Sequence, residues 1–304
     1  MKVAAIDLGS NTFLCLIAEV DNSGITKVYS DHSEVVRLGQ ELERTKCFHP
    51  EALLRADACL SRFSEVIKKE RPERVLAMAT SAARDASNKE ELFKLAAKYS
   101  IPVEIIPGDK EAQITYQGAV SGGSAENTNT MVIDIGGGST EFIFGAGPSL
   151  LAGKSFDIGC VRLTEKYIST QPTGVIEIMK VTSIIDHCLQ ETITLQPIGF
   201  SPDRIIAVAG TPTSLAAAEI GGYYAEQIDG FTLDRARLND WLFRLSKASV
   251  DEKIKMGIPA GRADVILIGV IILLRTLIIF EKQQLTVSTR GVRYGVALEI
   301  FNRG

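Results

Sequence analysis

The stretch Asp134–Thr140, Asp-Ile-Gly-Gly-Gly-Ser-Thr, decides the fold, because the chain carries a related stretch at Asp7–Thr12, Asp-Leu-Gly-Ser-Asn-Thr. Each stretch follows one apolar run and leads into another, which is the pattern of a strand, an acidic residue, a glycine turn and a second strand. The two copies lie about one domain length apart. The repetition predicts two related lobes, with one such turn in each lobe and a cleft between them.

Both turns have the composition of a phosphate-binding loop. Glycine reaches positive φ without strain and lets the backbone approach a ligand closely. Successive backbone N–H groups in such a turn form a concave anion site, to which hydroxyl and amide side chains add donors. The candidate donors in the two turns are Gly9, Ser10, Asn11, Thr12, Gly136, Gly137, Gly138, Ser139 and Thr140. The alternative for either copy alone is an ordinary hairpin whose glycines only satisfy turn geometry.

Carboxylates flank the turns. Asp7 and Asp134 precede them and Glu141 follows the second. A carboxylate does not bind phosphate directly because both are anions, whereas Mg²⁺ commonly takes one or two carboxylates together with phosphate oxygens. Asp134 and Glu141 are therefore candidate ligands of Mg²⁺ or Mn²⁺, and Asp7 is a candidate for a further ligand or for orienting a bound water. The alternative is the ordinary polarity of an exposed hairpin.

The composition excludes several classes of protein. The net charge is −4, so no general basic surface is expected to attract nucleic acid. The five cysteines include no C-x-x-C pair, which favours reduced thiols, no zinc site and a cytoplasmic protein. Arg275 interrupts the apolar run that begins at Val265, and the uninterrupted part is too short to cross a bilayer. We expect a buried central helix there and no membrane association.

The order of predicted elements repeats as well. In each half one predicted strand leads to the aspartate and two more follow the glycine turn, and helices and strands then alternate. This order is the β-β-β-α-β-α lobe of an actin-like ATPase (ribonuclease H-like) fold. The fold class is therefore α/β, with two duplicated lobes and an interdomain cleft. The polar segment 121–129 separates the lobes. We expect one lobe on each side of this segment.

The chain resembles the exopolyphosphatase and guanosine pentaphosphate phosphohydrolase (Ppx/GppA) family. The glycine turns alone would fit any actin-like ATPase or sugar kinase, but Ala79–Asn88 and Gly108–Ala112 narrow the resemblance to this family. Tyr294 stands where the family often has Glu, and the chain is similar to the short, two-domain form. The matching segments occur in family order: Asp7–Thr12, Val36–Gly39, Ala79–Asn88, Gly108–Ala112, Asp134–Glu141, Leu163–Glu165, Gly210–Ala216 and Gly291–Gly295.

The resemblance implies that the chain after Ser288 packs back on the first lobe. We therefore expect a first lobe of residues 1–124 with 289–304 and a second lobe of residues 125–288.

The resemblance also implies roles for individual residues. Glu111 matches the carboxylate proposed to activate water in the family, and Arg84 is a catalytic candidate whose guanidinium suits a pair of phosphate oxygens. On local grounds alone, Glu111 also fits an ordinary acidic helix start. Gly210 and Thr211 lie at a strand-to-helix turn that suits an anion, although helix capping explains much of that turn without a ligand.

The resulting hypothesis is a metal-dependent exopolyphosphatase that hydrolyses terminal phosphoanhydride bonds of inorganic polyphosphate. The nearest alternative is the 5′-phosphohydrolysis of guanosine pentaphosphate (pppGpp), which is the same chemistry on a nucleotide. An actin-like sugar kinase and a non-catalytic nucleotide sensor are more distant alternatives, and a homodimer stays open as the assembly.

Overall fold

The computed structural model describes residues 1–122 and 128–304. These residues fall into two compact units. The first contains the described residues up to 122 together with Arg290–Gly304, and the second runs from residue 128 to Thr289. The polar segment expected to separate two lobes lies mostly outside the described residues, between the end of a helix at Val120 and the start of a strand at Asn129.

The described residues form eleven strands in two sheets. The strands are β1 (Lys2–Leu8), β2 (Thr12–Asp21), β3 (Gly24–Val35), β4 (Arg74–Ala79), β5 (Val103–Ile105), β6 (Asn129–Ile135), β7 (Thr140–Ala146), β8 (Ser149–Phe156), β9 (Arg204–Val208), β10 (Thr232–Asp234) and β11 (Gln284–Val287).

Thirteen helices connect these strands within the same described ranges. The helices are α1 (Leu42–Thr45), α2 (Pro50–Glu70), α3 (Ser81–Asp85), α4 (Glu90–Lys98), α5 (Gly108–Val120), α6 (Cys160–Tyr167), α7 (Val175–Thr194), α8 (Gly210–Ile220), α9 (Ala225–Ile228), α10 (Arg235–Ser246), α11 (Val250–Lys255), α12 (Ile266–Ile279) and α13 (Val292–Asn302).

The two sheets share one strand order. The first sheet runs β3-β2-β1-β4-β5 and the second runs β10-β11-β9-β6-β7-β8, so β10 is an addition at one edge of a repeated five-strand pattern. In each repeat the second strand pairs antiparallel with the first and with the third. The fourth strand pairs parallel with the first and with the fifth. This duplicated α/β topology is that of the actin-like ATPases and confirms the fold class expected from the two glycine turns.

Parallel pairing places the ends of particular strands side by side. In the first unit Leu8 pairs with Ala79, and Ala79 pairs with Ile105, so β1, β4 and β5 end at one edge of the sheet. In the second unit Asp134 near the end of β6 pairs with Val208 at the end of β9. Every sequence-predicted site segment begins at one of these edges, because the turns and helices that carry those segments follow these strands.

The first unit buries one face of its sheet under α13, which packs on β1, β2 and α5. Val3, Ile114, Val292 and Val296 share one core cluster there, and the other face packs against α2 and α4. The backbones of α5 and α13 approach so closely that a methyl group on Gly295 would overlap the carbonyl oxygen of Ile114. The helix at the C-terminal end of the chain is therefore part of the first unit.

The second unit is built around α12. Eleven residues of this helix are buried, and it packs against α7, α10, α6 and α8. The apolar run that begins at Val265 is thus the central core helix expected from its composition. Within the described ranges, no helix is both long and apolar enough to span a membrane.

Several elements differ from the sequence-based expectation. We expect a short third strand near residues 26–29, whereas β3 runs from Gly24 to Val35 along the edge of the sheet. Helices α6 and α11 and strand β10 have no counterpart in the prediction, because each is short and has a mixed polar composition. The sequence pattern predicts a helix over residues 262–282, whereas α12 spans only Ile266–Ile279, since residues 260–265 form turns before it and Phe280 ends it.

The close approach of α5 and α13 gives a test of the packing. Gly295→Ala forces a methyl group into backbone atoms that cannot move independently, so we expect a loss of about 3 kcal/mol in the free energy of unfolding. The matched control is Gly174→Ala, where the nearest atom lies 3.6 Å from the added methyl and φ is −68°; we expect less than about 1 kcal/mol there. Chemical denaturation of both variants measures the difference, and equal stability would contradict the described packing.

Candidate active site

The first glycine turn closes the hairpin between β1 and β2. The amide of Gly9 donates to the carbonyl of Thr12 at 3.2 Å. The segment after β3 anchors the turn from one side: the Ser10 carbonyl accepts from the Gly39 amide at 2.7 Å, and the Asn11 carbonyl accepts from the amides of Val36 and Arg37 at 3.0 and 2.9 Å. Arg37 has a φ of 54°, a left-handed conformation that few non-glycine residues adopt.

The second glycine turn closes the hairpin between β6 and β7 in the same way, with the Gly136 amide donating to the Ser139 carbonyl at 2.9 Å. Here the N-terminal residues of α6 provide the anchor. The Gly136 carbonyl accepts from the Cys160 amide at 3.0 Å, and the Gly138 carbonyl accepts from the Gly159 amide at 3.3 Å. The Gly137 carbonyl accepts from the amides of Val161 and Arg162 at 2.9 and 3.1 Å.

This anchoring fixes the direction of the turn amides. In a trans peptide the carbonyl of one residue and the N–H of the next point in opposite directions. Because the carbonyls of residues 136, 137 and 138 point towards α6, the amides of Gly137, Gly138 and Ser139 point away from it. Three successive amides directed to one side form an anion-binding nest. By the same geometry, the amides of Asn11 and Thr12 point away from the segment that anchors the first turn.

The side chains of the turns are largely buried. Ser10, Asn11, Thr12 and Ser139 are all less than a tenth exposed. The hydroxyl of Thr140 donates to the Ile158 carbonyl at 2.9 Å, so this side chain supports the turn from inside the unit. The donors best placed for a ligand at the second turn are therefore its backbone amides.

Two carboxylates flank the second turn on neighbouring strands. Asp134 and Glu141 are direct partners across β6 and β7, which places their side chains on the same face of the sheet. Both are buried, and Glu141 accepts from the Ser155 hydroxyl at 2.6 Å. Two adjacent carboxylates with hard oxygen donors suit Mg²⁺ or Mn²⁺. Asp7 lies in the first unit, where its partner across the hairpin is the apolar Leu14.

Glu111 lies in the first helical turn of α5, where it is 5% exposed. Its carboxylate accepts from Arg84 Nη1 at 2.6 Å, and the same nitrogen donates to the Ile106 carbonyl at 3.0 Å. Arg84 lies in α3 directly after β4, and Glu111 lies in the helix that follows β5, so parallel pairing of those strands brings the two together. The sequence analysis selected both residues without predicting this ion pair.

Burial raises the pKa of Glu111, while the charge and the hydrogen bond of Arg84 act in the opposite direction. A raised pKa makes a carboxylate a stronger base. Burial therefore acts to make the Glu111 carboxylate a stronger base, and Arg84 acts against this effect.

The turn at Gly210 follows β9 and begins α8. The hydroxyl of Thr211 lies 3.5 Å from Cys160 Sγ inside the unit, so its side chain faces the protein. The guanidinium of Arg262 lies directly against the α-carbon of Gly210, and burial lowers the pKa of that guanidinium. Ala209, just before the turn, has a φ of 70°. Arg262 is a candidate phosphate-binding residue that the sequence analysis missed.

The sequence analysis also missed a repeat that explains the anchoring. Val36–Leu38 and Val161–Leu163 have the same sequence, Val-Arg-Leu, and each follows the third strand of its unit. In both units one turn carbonyl accepts from the Val and the Arg amides of this segment. Comparing the two halves of the chain beyond their glycine turns would have found this signal.

The duplicated sheets and the amide-lined turn in each unit define the class, an actin-like α/β protein. Within that class the chain belongs to the Ppx/GppA phosphatase family, whose family model matches residues 16–303. It is 32% identical over 316 aligned residues to exopolyphosphatase 2 of Mycobacterium tuberculosis, an alignment that covers 98% of each protein.

Solved structures agree with this assignment. An exopolyphosphatase from Cytophaga hutchinsonii matches with a TM-score of 0.90 at 26% identity, over 100% of this chain and 98% of that one. The Ppx/GppA family member of Aquifex aeolicus matches with a TM-score of 0.82 at 29% identity, over 100% and 98% of the two chains.

The ion pair with Arg84 predicts how the Glu111 carboxyl titrates. Arg84 favours the charged form, so Arg84→Gln removes that stabilisation and should raise the pKa of Glu111 further. Carboxyl-selective NMR titration of the wild-type and variant proteins measures the shift. Arg303→Gln, which removes a guanidinium from Glu104 in the same unit, is the control and should leave Glu111 unchanged. A lower pKa in Arg84→Gln would contradict the described pairing.

Proposed function

We propose that the protein is an exopolyphosphatase that hydrolyses the terminal phosphoanhydride bond of inorganic polyphosphate with the help of Mg²⁺ or Mn²⁺. The observation that carries this proposal is the second turn, where three successive amides directed to one side follow Asp134 and precede Glu141. Amides that bind an anion and carboxylates that bind a metal are the two partners a polyphosphate chain needs. The similarity to an exopolyphosphatase over nearly the whole chain supports polyphosphate over pppGpp as the substrate.

The phosphate-binding part consists of backbone amides with nearby side chains. We assign the amides of the two hairpin turns and of the Gly210–Thr211 turn to phosphate oxygens, with Ser10, Asn11, Thr12 and Ser139 as further donors. Preorganised donors of this kind stabilise the charge that develops on phosphate oxygens during transfer.

The metal-binding part consists of Asp134 and Glu141, with Asp7 as a further ligand or as a residue that orients a bound water. The cross-strand pairing of two buried carboxylates fits such an ion, whose coordination is completed by water and phosphate oxygens. When bound, the metal neutralises charge on the phosphate oxygens.

Glu111 is assigned as the general base. A water oxygen attacks the terminal phosphorus, the anhydride P–O bond breaks, and the shortened polyphosphate leaves with its bridging oxygen. The proton of the attacking water passes to the Glu111 carboxylate. Arg84 orients that carboxylate, and its charge favours the ionised form against the effect of burial.

The five cysteines are free thiols, and three of them are buried. This state supports a reducing compartment, and we therefore assign the enzyme to the cytoplasm.

Replacing the base tests the proposed reaction. Glu111→Gln keeps the size of the side chain and removes the proton acceptor, so kcat for phosphate release from polyphosphate should fall by roughly 10²–10⁴-fold. Glu104→Gln, an exposed glutamate of the same unit, is the matched control and should keep full activity. Wild-type protein is assayed on polyphosphate and pppGpp side by side; release from pppGpp alone would overturn the substrate, and a fully active Glu111→Gln would remove Glu111 from the mechanism.

Replacing the metal ligands tests the cofactor. Asp134→Asn and Glu141→Gln each remove a charged oxygen donor, so each should raise the Mg²⁺ concentration that gives half-maximal activity, by about tenfold or more. Asp203→Asn, a carboxylate of the same unit that accepts from the Asn129 amide, is the control. Metal titrations of all four proteins decide the matter, since unchanged half-maximal concentrations in both ligand variants would place the metal elsewhere.

A further inference from the structure

We propose that Arg162 is a positioning residue that holds the second glycine turn in its anion-binding conformation. The inference deepens the proposed function, because it concerns how the polyphosphate-binding amides are kept in place. Arg162 stands outside the set of residues that the sequence analysis selected, and it acts on the ligand only through the turn.

Arg162 contacts the turn twice. Its backbone amide donates to the Gly137 carbonyl at 3.1 Å, and its side-chain Nε donates to the Gly138 carbonyl at 2.8 Å. The side chain is 14% exposed. Nη2 of the same side chain lies 3.6 Å from the Asp157 carboxylate, which is 80% exposed. An ion pair with so exposed a carboxylate contributes little, so of these two contacts the bond to Gly138 stabilises the position of the guanidinium more.

The hydrogen bond from the Arg162 side chain to the Gly138 carbonyl matters because Gly137 and Gly138 restrict the backbone conformation of the turn so little. Without side chains, these residues allow many backbone conformations of similar energy. Rotation of the peptide between Gly138 and Ser139 would turn the carbonyl towards the anion and the Ser139 amide away from it. A carbonyl oxygen facing phosphate is repulsive, so that rotated state would not bind substrate. The guanidinium is a charged donor, and it stabilises the carbonyl in the opposite direction more strongly than a neutral donor would.

The second turn has three consecutive glycines, and it is anchored by four backbone amides and by the Arg162 side chain. Because glycine restricts the backbone so little, the conformation of this turn depends on these hydrogen bonds.

The experiment compares Arg162→Gln and Arg162→Lys with wild-type protein, using tripolyphosphate as substrate and inorganic phosphate as inhibitor. We expect Arg162→Gln to raise KM and the phosphate inhibition constant together by about tenfold, the scale of losing one hydrogen bond from a charged donor. We expect kcat to stay within about threefold, because the base and metal ligands are untouched. Arg162→Lys retains a charged donor and should recover part of the loss, and the pH profile should stay that of wild type.

Arg235→Gln is the matched control. Arg235 also donates from Nε to a backbone carbonyl, that of Lys282 at 2.7 Å, but at the far end of α12 from the turn. Thermal unfolding is measured for every variant. If Arg162→Gln loses stability as Arg235→Gln does and keeps its KM and inhibition constant, the role is structural and the proposal is wrong. A wild-type protein inactive on tripolyphosphate but stabilised by it, with that stabilisation weakened in Arg162→Gln, would refute the proposed function and leave the positioning role standing.

Discussion

A backbone turn binds an anion only if its carbonyl groups are held in the opposite direction and hydrogen-bonded there. In this protein each glycine turn meets that condition through a second segment that follows the third strand of the same unit. The rest of the arrangement depends on it. The sheet brings the two segments together, and the hairpin places carboxylates beside the amides that are left pointing outward.

The two kinds of candidate functional group, the turn amides and the Glu111 carboxylate, are preorganised by different interactions. The turn amides have a fixed direction and carry only partial charges, so hydrogen bonds alone prepare them. Glu111 is a buried ionisable group, and its ionisation depends on the balance between desolvation and Arg84. Polar groups that are already in place need no reorganisation when charge develops on a substrate.

The amino-acid sequence predicted much of this structure because its strongest signals are local. Neighbouring residues alone predicted the two glycine turns, the apolar strands around them and the buried helix α12. The structure contains all three features. Contacts between distant segments were not predictable in this way. The pairing of Arg84 with Glu111 depends on strand order, and the second turn is anchored by α6, a helix of only 8 residues that is distant from the turn in the sequence. A role for Thr211 in phosphate binding was argued from its position, whereas its hydroxyl lies against Cys160.

The packing of α13 has a consequence for biosynthesis. The second unit is one continuous segment, whereas the first needs Val292 and Val296 to complete the cluster around Val3 and Ile114. Domains commonly fold as units while the chain emerges from the ribosome. The first unit therefore cannot complete its core until Val292 and Val296 have been synthesised, after the whole of the second unit. Until then the face of β1 that α13 covers has no partner from that helix, and it is the surface of the nascent chain that a chaperone would have to protect.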